Sequence, residues 1–288
     1  MKPRLAILGA GHVAQTLARL WVDQGLVEIT WIANRSLASA QQAQQFIGQG
    51  RAVDDLVALT PSDLILIGCP DDHVVTCANQ LANCHELQGV SVFHCSGALS
   101  SEQLSSLVEK GAYTASVHPV KSFAEPAQSI KTFVGTFCGI EGDAPAIAFL
   151  EPLFEKIGGR CFALNAQHKT LYHAASVMAC NYLVALEAVS LQLYQAAGLE
   201  QALAQQLMQP LVEGTVKQFF QLGAVQALTG PIARGDQAVV QQQLQKVTSL
   251  DSQWGELYRL LGQQALELAK TRGKLNAEQL QGLAQILR

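Results

Sequence analysis

Over its first half the chain alternates short apolar runs with longer stretches whose apolar positions recur every three or four residues. Leu5, Ala6, Ile7 and Leu8 form the first strand-length run, and residues 13–24 behind it have the period of an amphipathic helix. Further strands are predicted at 27–33, 63–69, 90–94, 113–117, 132–140 and 160–163, most of them separated by helical stretches. Leu64, Ile65, Leu66 and Ile67 show no in-out alternation, which suits a parallel sheet covered on both faces. The pattern predicts a doubly wound α/β domain over residues 1–164.

From Gln167 onward the strand signal vanishes. A single long helix is expected over 167–197, ended by Gly198, with Leu171, Ala175, Met178, Tyr182, Ala185, Val189 and Leu193 on one stripe. Val177, Val184, Ala188 and Leu191 make a second apolar face, so this helix is expected to be surrounded by protein. Helices follow at 201–209, 210–222 with Pro210 at its first position, 236–249, 251–270 and 276–287. Asp236, Asp251 and Asn276 are the expected N-caps. Residues 165–288 therefore read as an all-α domain, with 228–236 its least regular segment.

Composition narrows the class. A chain of 288 residues with 49% hydrophobic content exceeds one nucleotide-binding unit, in keeping with two domains. The net charge of −4 comes without a basic run, so neither nucleic acid nor an anionic membrane surface is an expected partner. No stretch was expected to reach eighteen uncharged apolar residues, and Met1-Lys2-Pro3-Arg4 runs directly into the first strand; the expectation is a cytoplasmic protein. The seven cysteines lack a Cys-x-x-Cys pair, and His94 and Cys95, as neighbours on a strand, face opposite sides of the sheet, so no disulfide framework or metal site is expected.

The chemistry starts at Gly9-Ala10-Gly11-His12-Val13-Ala14, between the first strand and the first helix. Gly9 permits a tight turn, Gly11 lets the backbone approach a pyrophosphate, and Ala14 lets helix and strand pack closely. The helix start at His12 and Val13 directs free N–H groups and a positive dipole end at the phosphates. The second strand ends in Asn34-Arg35-Ser36, where an acidic residue would take the ribose 2′-hydroxyl of NAD. Arg35 suits a 2′-phosphate instead, with neutral hydrogen bonds from Asn34 and Ser36, and NADP is the expected cofactor.

The sequence resembles the Rossmann-like proteins with an uncharacterised helical C-terminal domain, distant relatives of 3-hydroxyisobutyrate dehydrogenase and pyrroline-5-carboxylate reductase. The likeness covers nearly the whole chain. It is carried by the 9–14 motif, Cys69-Pro70-Asp71-Asp72, the segment His94 to Ser100, Ser116-Val117-His118-Pro119, Tyr172-His173-Ala174-Ala175 with Asn181-Tyr182-Leu183, and Leu228 to Asp236. The resemblance implies that Cys69, Pro70, Ser96 and Gly97 lie beside the nicotinamide and its ribose. In the better-known dehydrogenases the long helix carries a Lys and, four residues later, an Asn. Asn181 matches the Asn, and Val177 stands at the Lys position.

Valine moves no proton, so another group is needed. His173, one turn before Val177, is the first candidate on a continuous helix, ahead of Lys169; His118, at a strand end, is the second. Thr229 and Arg234 are candidates for holding the substrate. The expected activity is NADP-dependent hydride transfer between nicotinamide and a small carbonyl, alcohol or imine substrate. The alternative is a catalytically inactive NADP-binding sensor or scaffold, for which Val177 is the best support. A homodimer is expected, because a helix apolar on two faces needs more cover than one small domain supplies.

Overall fold

The structure, a computed structural model, describes residues 2–54, 56 and 61–288. Its strands are β1 (Arg4–Leu8), β2 (Glu28–Ala33), β3 (Arg51–Val53), β4 (Leu64–Ile67), β5 (Ser91–His94), β6 (Tyr113–Pro119), β7 (Phe137–Gly142) and β8 (Arg160–Ala163). The first half also holds α1 (His12–Asp23), α2 (Leu37–Ile47), α3 (Asp71–Cys84), α4 (Ser105–Val108), α5 (Pro126–Lys131), α6 (Ala144–Lys156) and α7 (Lys169–Ala179). The rest is α8 (Asn181–Ala196), α9 (Gln201–Leu222), α10 (Ala224–Ala227), α11 (Pro231–Arg234), α12 (Gln237–Leu250), α13 (Ser252–Arg272) and α14 (Ala277–Ile286).

The eight strands form one sheet in the order β3-β2-β1-β4-β5-β6-β7-β8. The expected doubly wound α/β sheet is present, but it is mixed: β7 runs antiparallel to β6, and β8 runs parallel to β7. Strand β3, too short and polar to stand out in the sequence, pairs with β2. From β1 the chain builds outward through β2 and β3, then returns to β4 on the other side of β1. That reversal opens a crevice at the carboxyl ends of β1 and β4, where open α/β sheets bind ligands.

Both faces of the sheet are covered, which is why its strands are so apolar. On one side Leu5, Ile7, Phe93, Ala115, Val117 and Ile140 pack with residues of α1, α2 and α6. Trp21 anchors this layer, edge-on to Phe154 at 5.3 Å, with its indole N–H donating to the Leu153 carbonyl at 3.0 Å. Ala6, Leu8, Ile65, Ile67 and Val92 face α3 and α4 on the other side. The two-residue period then turns His94, Ser116, His118 and Glu141 away from the first layer, placing polar groups together where β5, β6 and β7 lie side by side.

The chain divides into compact units at Ala179, beyond the 164/165 boundary at which the strand signal ends. The first unit keeps α7 because Lys169 is tied into the sheet and Tyr172 packs against Phe162 of β8 and His118 of β6. The expected single helix over 167–197 is thus two helices, interrupted at Cys180, whose ψ of −64° goes with a φ of −119° outside the helical range.

The second unit has a core of Ile232, Val240, Leu266, Ala269, Leu283 and Leu287. Asp251 caps α13, accepting from the N–H groups of Gln253 and Trp254, and Asn276 forms a capping box with Gln279 at α14. Asp236 occupies the N-cap position of α12 without capping it, because its carboxylate pairs with Arg234. Pro210 lies inside α9 rather than opening a helix. The carbonyl it orphans belongs to Gln206, an exposed residue, where solvent takes the place of the missing N–H.

No residue of α8 is buried, so this helix is not enclosed within its own chain. Ala166–Ala196 has the length of a membrane span, and an 18-residue window within it reaches a mean hydropathy of 1.5. Asn181 and the charged Glu187 interrupt that window, so eighteen uncharged apolar residues do not follow one another.

Candidate functional site

Gly9 turns the chain off β1 with φ +84°, and a Cβ there would lie 2.7 Å from the backbone nitrogen of Cys69. Gly68 answers it from β4, since its Cβ would lie 2.4 Å from the Gly9 oxygen and 2.6 Å from Ala14 Cβ. The two turns at the switch point therefore pack backbone against backbone. Gly68 was not singled out in the sequence; only the meeting of two turns distant in the chain reveals its role.

The N–H groups of this loop divide into used and free. Gly9 donates to Ala33 O at 2.7 Å, Ala10 to Asn34 Oδ1 at 2.6 Å, and Gly11 to Gly68 O at 3.4 Å. The N–H groups of His12, Val13 and Ala14 have no acceptor among the described residues, and α1 has no capping side chain. Three converging donors at a positive helix end fit an anion. His12 turns its ring aside, with Nδ1 3.0 Å from the Phe123 oxygen, and Val13 packs against the core, so both offer backbone rather than side chain.

At the end of β2 the three expected residues separate in role. Asn34 holds the glycine turn through Ala10, and Ser36 caps α2 by accepting from Ser39 N at 3.3 Å. Arg35 is exposed and makes no hydrogen bond or ion pair among the described residues.

Farther along the carboxyl edge, Cys69 is half-buried against the second apolar layer and Pro70 is the N-cap residue of α3. Ser96 donates its hydroxyl to Asp71 Oδ2 at 2.7 Å and accepts from the N–H groups of Ala98 at 3.1 Å and Leu99 at 2.9 Å. A Cβ on Gly97 would lie 2.4 Å from His173 Cδ2 and 2.8 Å from His118 Nε2. Glycine is required there for both imidazoles to close on the backbone.

His118 Nδ1 lies 2.9 Å from the Tyr172 hydroxyl, and its ring stands 5.9 Å from that of His173. Burial, then the nearby His173 and Lys169, push His118 down to about 4, so it is neutral near pH 7. Burial pushes the Tyr172 hydroxyl up and keeps it protonated. Tyr172 was not marked as a site residue, because a tyrosine on an apolar helix reads as packing.

Beneath this couple lies a buried network. Lys169, 1% exposed, donates to Ser116 Oγ and lies 3.1 Å from Glu141 Oε1. Glu141 also accepts from Ser101, at 2.9 Å from the backbone N–H and 2.7 Å from the hydroxyl. His94, its Nδ1 3.4 Å from Ser116 Oγ, is pushed down to about 4 by burial and then by the charge of Lys169. Burial pushes Lys169 down as well, and Glu141 opposes that shift. With all its partners inside the protein, Lys169 clamps α7 to β6 and β7. The available signal was Glu141 itself, a carboxylate closing an otherwise apolar strand.

In the second unit, Asn181 is the exposed first residue of α8. The single helix expected to carry both His173 and Asn181 is interrupted between them, at Cys180. Thr229 is exposed, and Arg234 is exposed with Nε 2.9 Å from Asp236 Oδ2.

The glycine turn at the switch point, the open helix N-terminus and the polar edge define a Rossmann NAD(P)-binding, oxidoreductase-like fold. Residues 1–119 match the Rossmann-like domain and residues 136–265 match DUF2520, a domain of unknown function; the chain carries the two in succession. It is similar over 94% of its length to the whole of a solved Thermotoga maritima protein, TM1727, with 27% identity and a TM-score of 0.71. A Bacteroides fragilis protein described as a candidate NADP oxidoreductase is 21% identical, with a TM-score of 0.73 over 93% of this chain and 98% of that one. A reductive aminase from Aspergillus terreus, solved with NADPH and ethyl-5-oxohexanoate, shares the fold at 16% identity and a TM-score of 0.62, covering 100% of this chain and 93% of that one. No curated protein matches the sequence.

Proposed function

We propose that the protein is an NADP-dependent oxidoreductase that exchanges hydride between nicotinamide and a small carbonyl, alcohol or imine. The carrying observation is the pairing of three acceptor-free N–H groups at the start of α1 with the unpartnered guanidinium of Arg35 on the neighbouring loop. The first would hold the pyrophosphate and the second the 2′-phosphate, which no group in NAD would match. The names of the Bacteroides and Aspergillus proteins, which mention NADP and NADPH, support the same choice. The bound cofactor would supply or accept the hydride.

The protein's part is orientation and proton movement. Ser96, fixed by Asp71, and Gly97 border the nicotinamide end in this reading, and neutral His118 with Tyr172 handles the proton beside His173. Asn181, which the resemblance matches to the Asn of the dehydrogenases, is the substrate contact this reading would draw from the second unit. The sensor reading draws on one observation, Val177 at the position where the dehydrogenases carry Lys.

Affinity for NADPH and NADH, followed by nucleotide fluorescence, tests the assignment. Wild type should prefer NADPH, and Arg35→Ala should weaken NADPH roughly tenfold or more while leaving NADH unchanged, as expected for loss of a charge-assisted contact. An unchanged preference in the variant rejects the 2′-phosphate role. Turnover lost in both His173→Ala and Asn181→Ala with NADPH binding intact would exclude the sensor reading.

A further inference from the structure

We propose that the second unit contains a binding site for a small, uncharged, largely apolar molecule that carries a hydrogen-bond acceptor such as a carbonyl oxygen. A cavity of about 440 Å³ lies between α8, the 228–232 segment, α12 and α13. That volume falls within the roughly 300–1,000 Å³ typical of small-molecule sites. Leu193, Ile232, Val247, Leu257 and Leu261 supply much of its wall, and none of the residues that line it is charged. An ionised ligand would enter without a counter-charge and lose hydration that nothing in the lining replaces, which disfavours it.

The polar groups of the lining are unequally satisfied. The Ser190 hydroxyl donates to the Leu186 carbonyl at 3.0 Å, and Gln243 Oε1 accepts from the Tyr258 hydroxyl at 2.7 Å. Two groups that can only donate, the Gln243 amide N–H pair and the Trp254 indole N–H, have no acceptor among the described residues; Gln243 is exposed at the cavity mouth, as is the Thr229 hydroxyl, which can donate or accept. An apolar wall with unmatched donors selects an apolar body with an acceptor, and a plain hydrocarbon would leave those donors unpaired. The site is defined without the nucleotide, so it stands or falls apart from the hydride-transfer reading.

The cavity carries its own reporter, because Trp21 and Trp31 are buried at 0% and 3% exposure while Trp254 is half-exposed on its wall. The test titrates the full chain, free of nucleotide, with 2-heptanone, with its alkene isostere 2-methyl-1-heptene and with heptanoate, following tryptophan fluorescence and heat. The ketone should saturate at one per chain, and the alkene should bind about tenfold more weakly for one lost hydrogen bond. Heptanoate should show no saturation. Ala265→Phe, which fills the cavity, should abolish ketone binding, with Val189→Phe as the second filling variant and melting curves confirming that each is folded. Absence of saturation by the ketone, equal affinity for ketone and alkene, or unchanged binding in a folded filled variant would overturn the proposal. So would a Trp254 signal that changes only with protein concentration, since a second copy of the chain would then occupy the cavity.

Discussion

His94 and His118 tie the site to the stability of the first unit. Both are pushed down to about 4, mainly by burial, whereas in the unfolded chain they titrate near their ordinary value of 6.5. As pH falls below that value the unfolded state binds protons first, so stability is full above pH 6.5 and is lost progressively down to about pH 4. Two shifts of this size correspond to roughly 3 kcal/mol each. Urea midpoints measured from pH 7.5 to 4.5 should fall steeply through that window, and His94→Gln should halve the slope. An unaltered slope would show that His94 is not held below its ordinary value in the folded protein. Lys169 and Glu141 pose the complementary case. Lys169→Met leaves a buried carboxylate without its cation and should cost about 3–5 kcal/mol. Adding Glu141→Gln keeps an acceptor for Ser101 and removes the stranded charge, so the double variant should be more stable than the single one by denaturant titration.

At the level of elements, what could be read from the sequence was whatever local chemistry decides. The glycine turn, the apolar strands and the caps at Asp251 and Asn276 each depend on residues within a few positions of one another, and each is present. The break at Cys180 could not be read, because apolar periodicity runs through it without Gly or Pro; nor could the antiparallel turn of β7, which depends on pairing with a distant strand. The site shows the same division. Gly9 and Gly11 were legible because the turn they make off β1 is decided within one loop. Tyr172, Glu141 and Ser116 were not, because each gains its meaning from a partner dozens of residues away.

Across the whole molecule, the unexplained quantity is apolar surface. Within the second unit Val184 is 69% exposed, Leu211 60% and Phe220 80%, and α8 has no buried residue at all. Two occupants suit such a surface. A membrane suits the composition of Ala166–Ala196, but that segment begins with Lys169 in a buried ion pair, and drawing it into lipid would strand both charges. We therefore propose a homodimer that covers α8 and α9, for which a standard interface of about 800 Å² per partner is an adequate size. Sedimentation equilibrium at micromolar concentration should give a dimer. Leu211→Glu combined with Phe220→Glu should raise its dissociation constant at least about a hundredfold, since each such side chain contributes roughly 1.5–3 kcal/mol when buried. Wild type sedimenting only as a monomer, or pelleting with lipid vesicles in place of dimerising, would refute the pairing, and a dimer unaffected by the double variant would move it to another face.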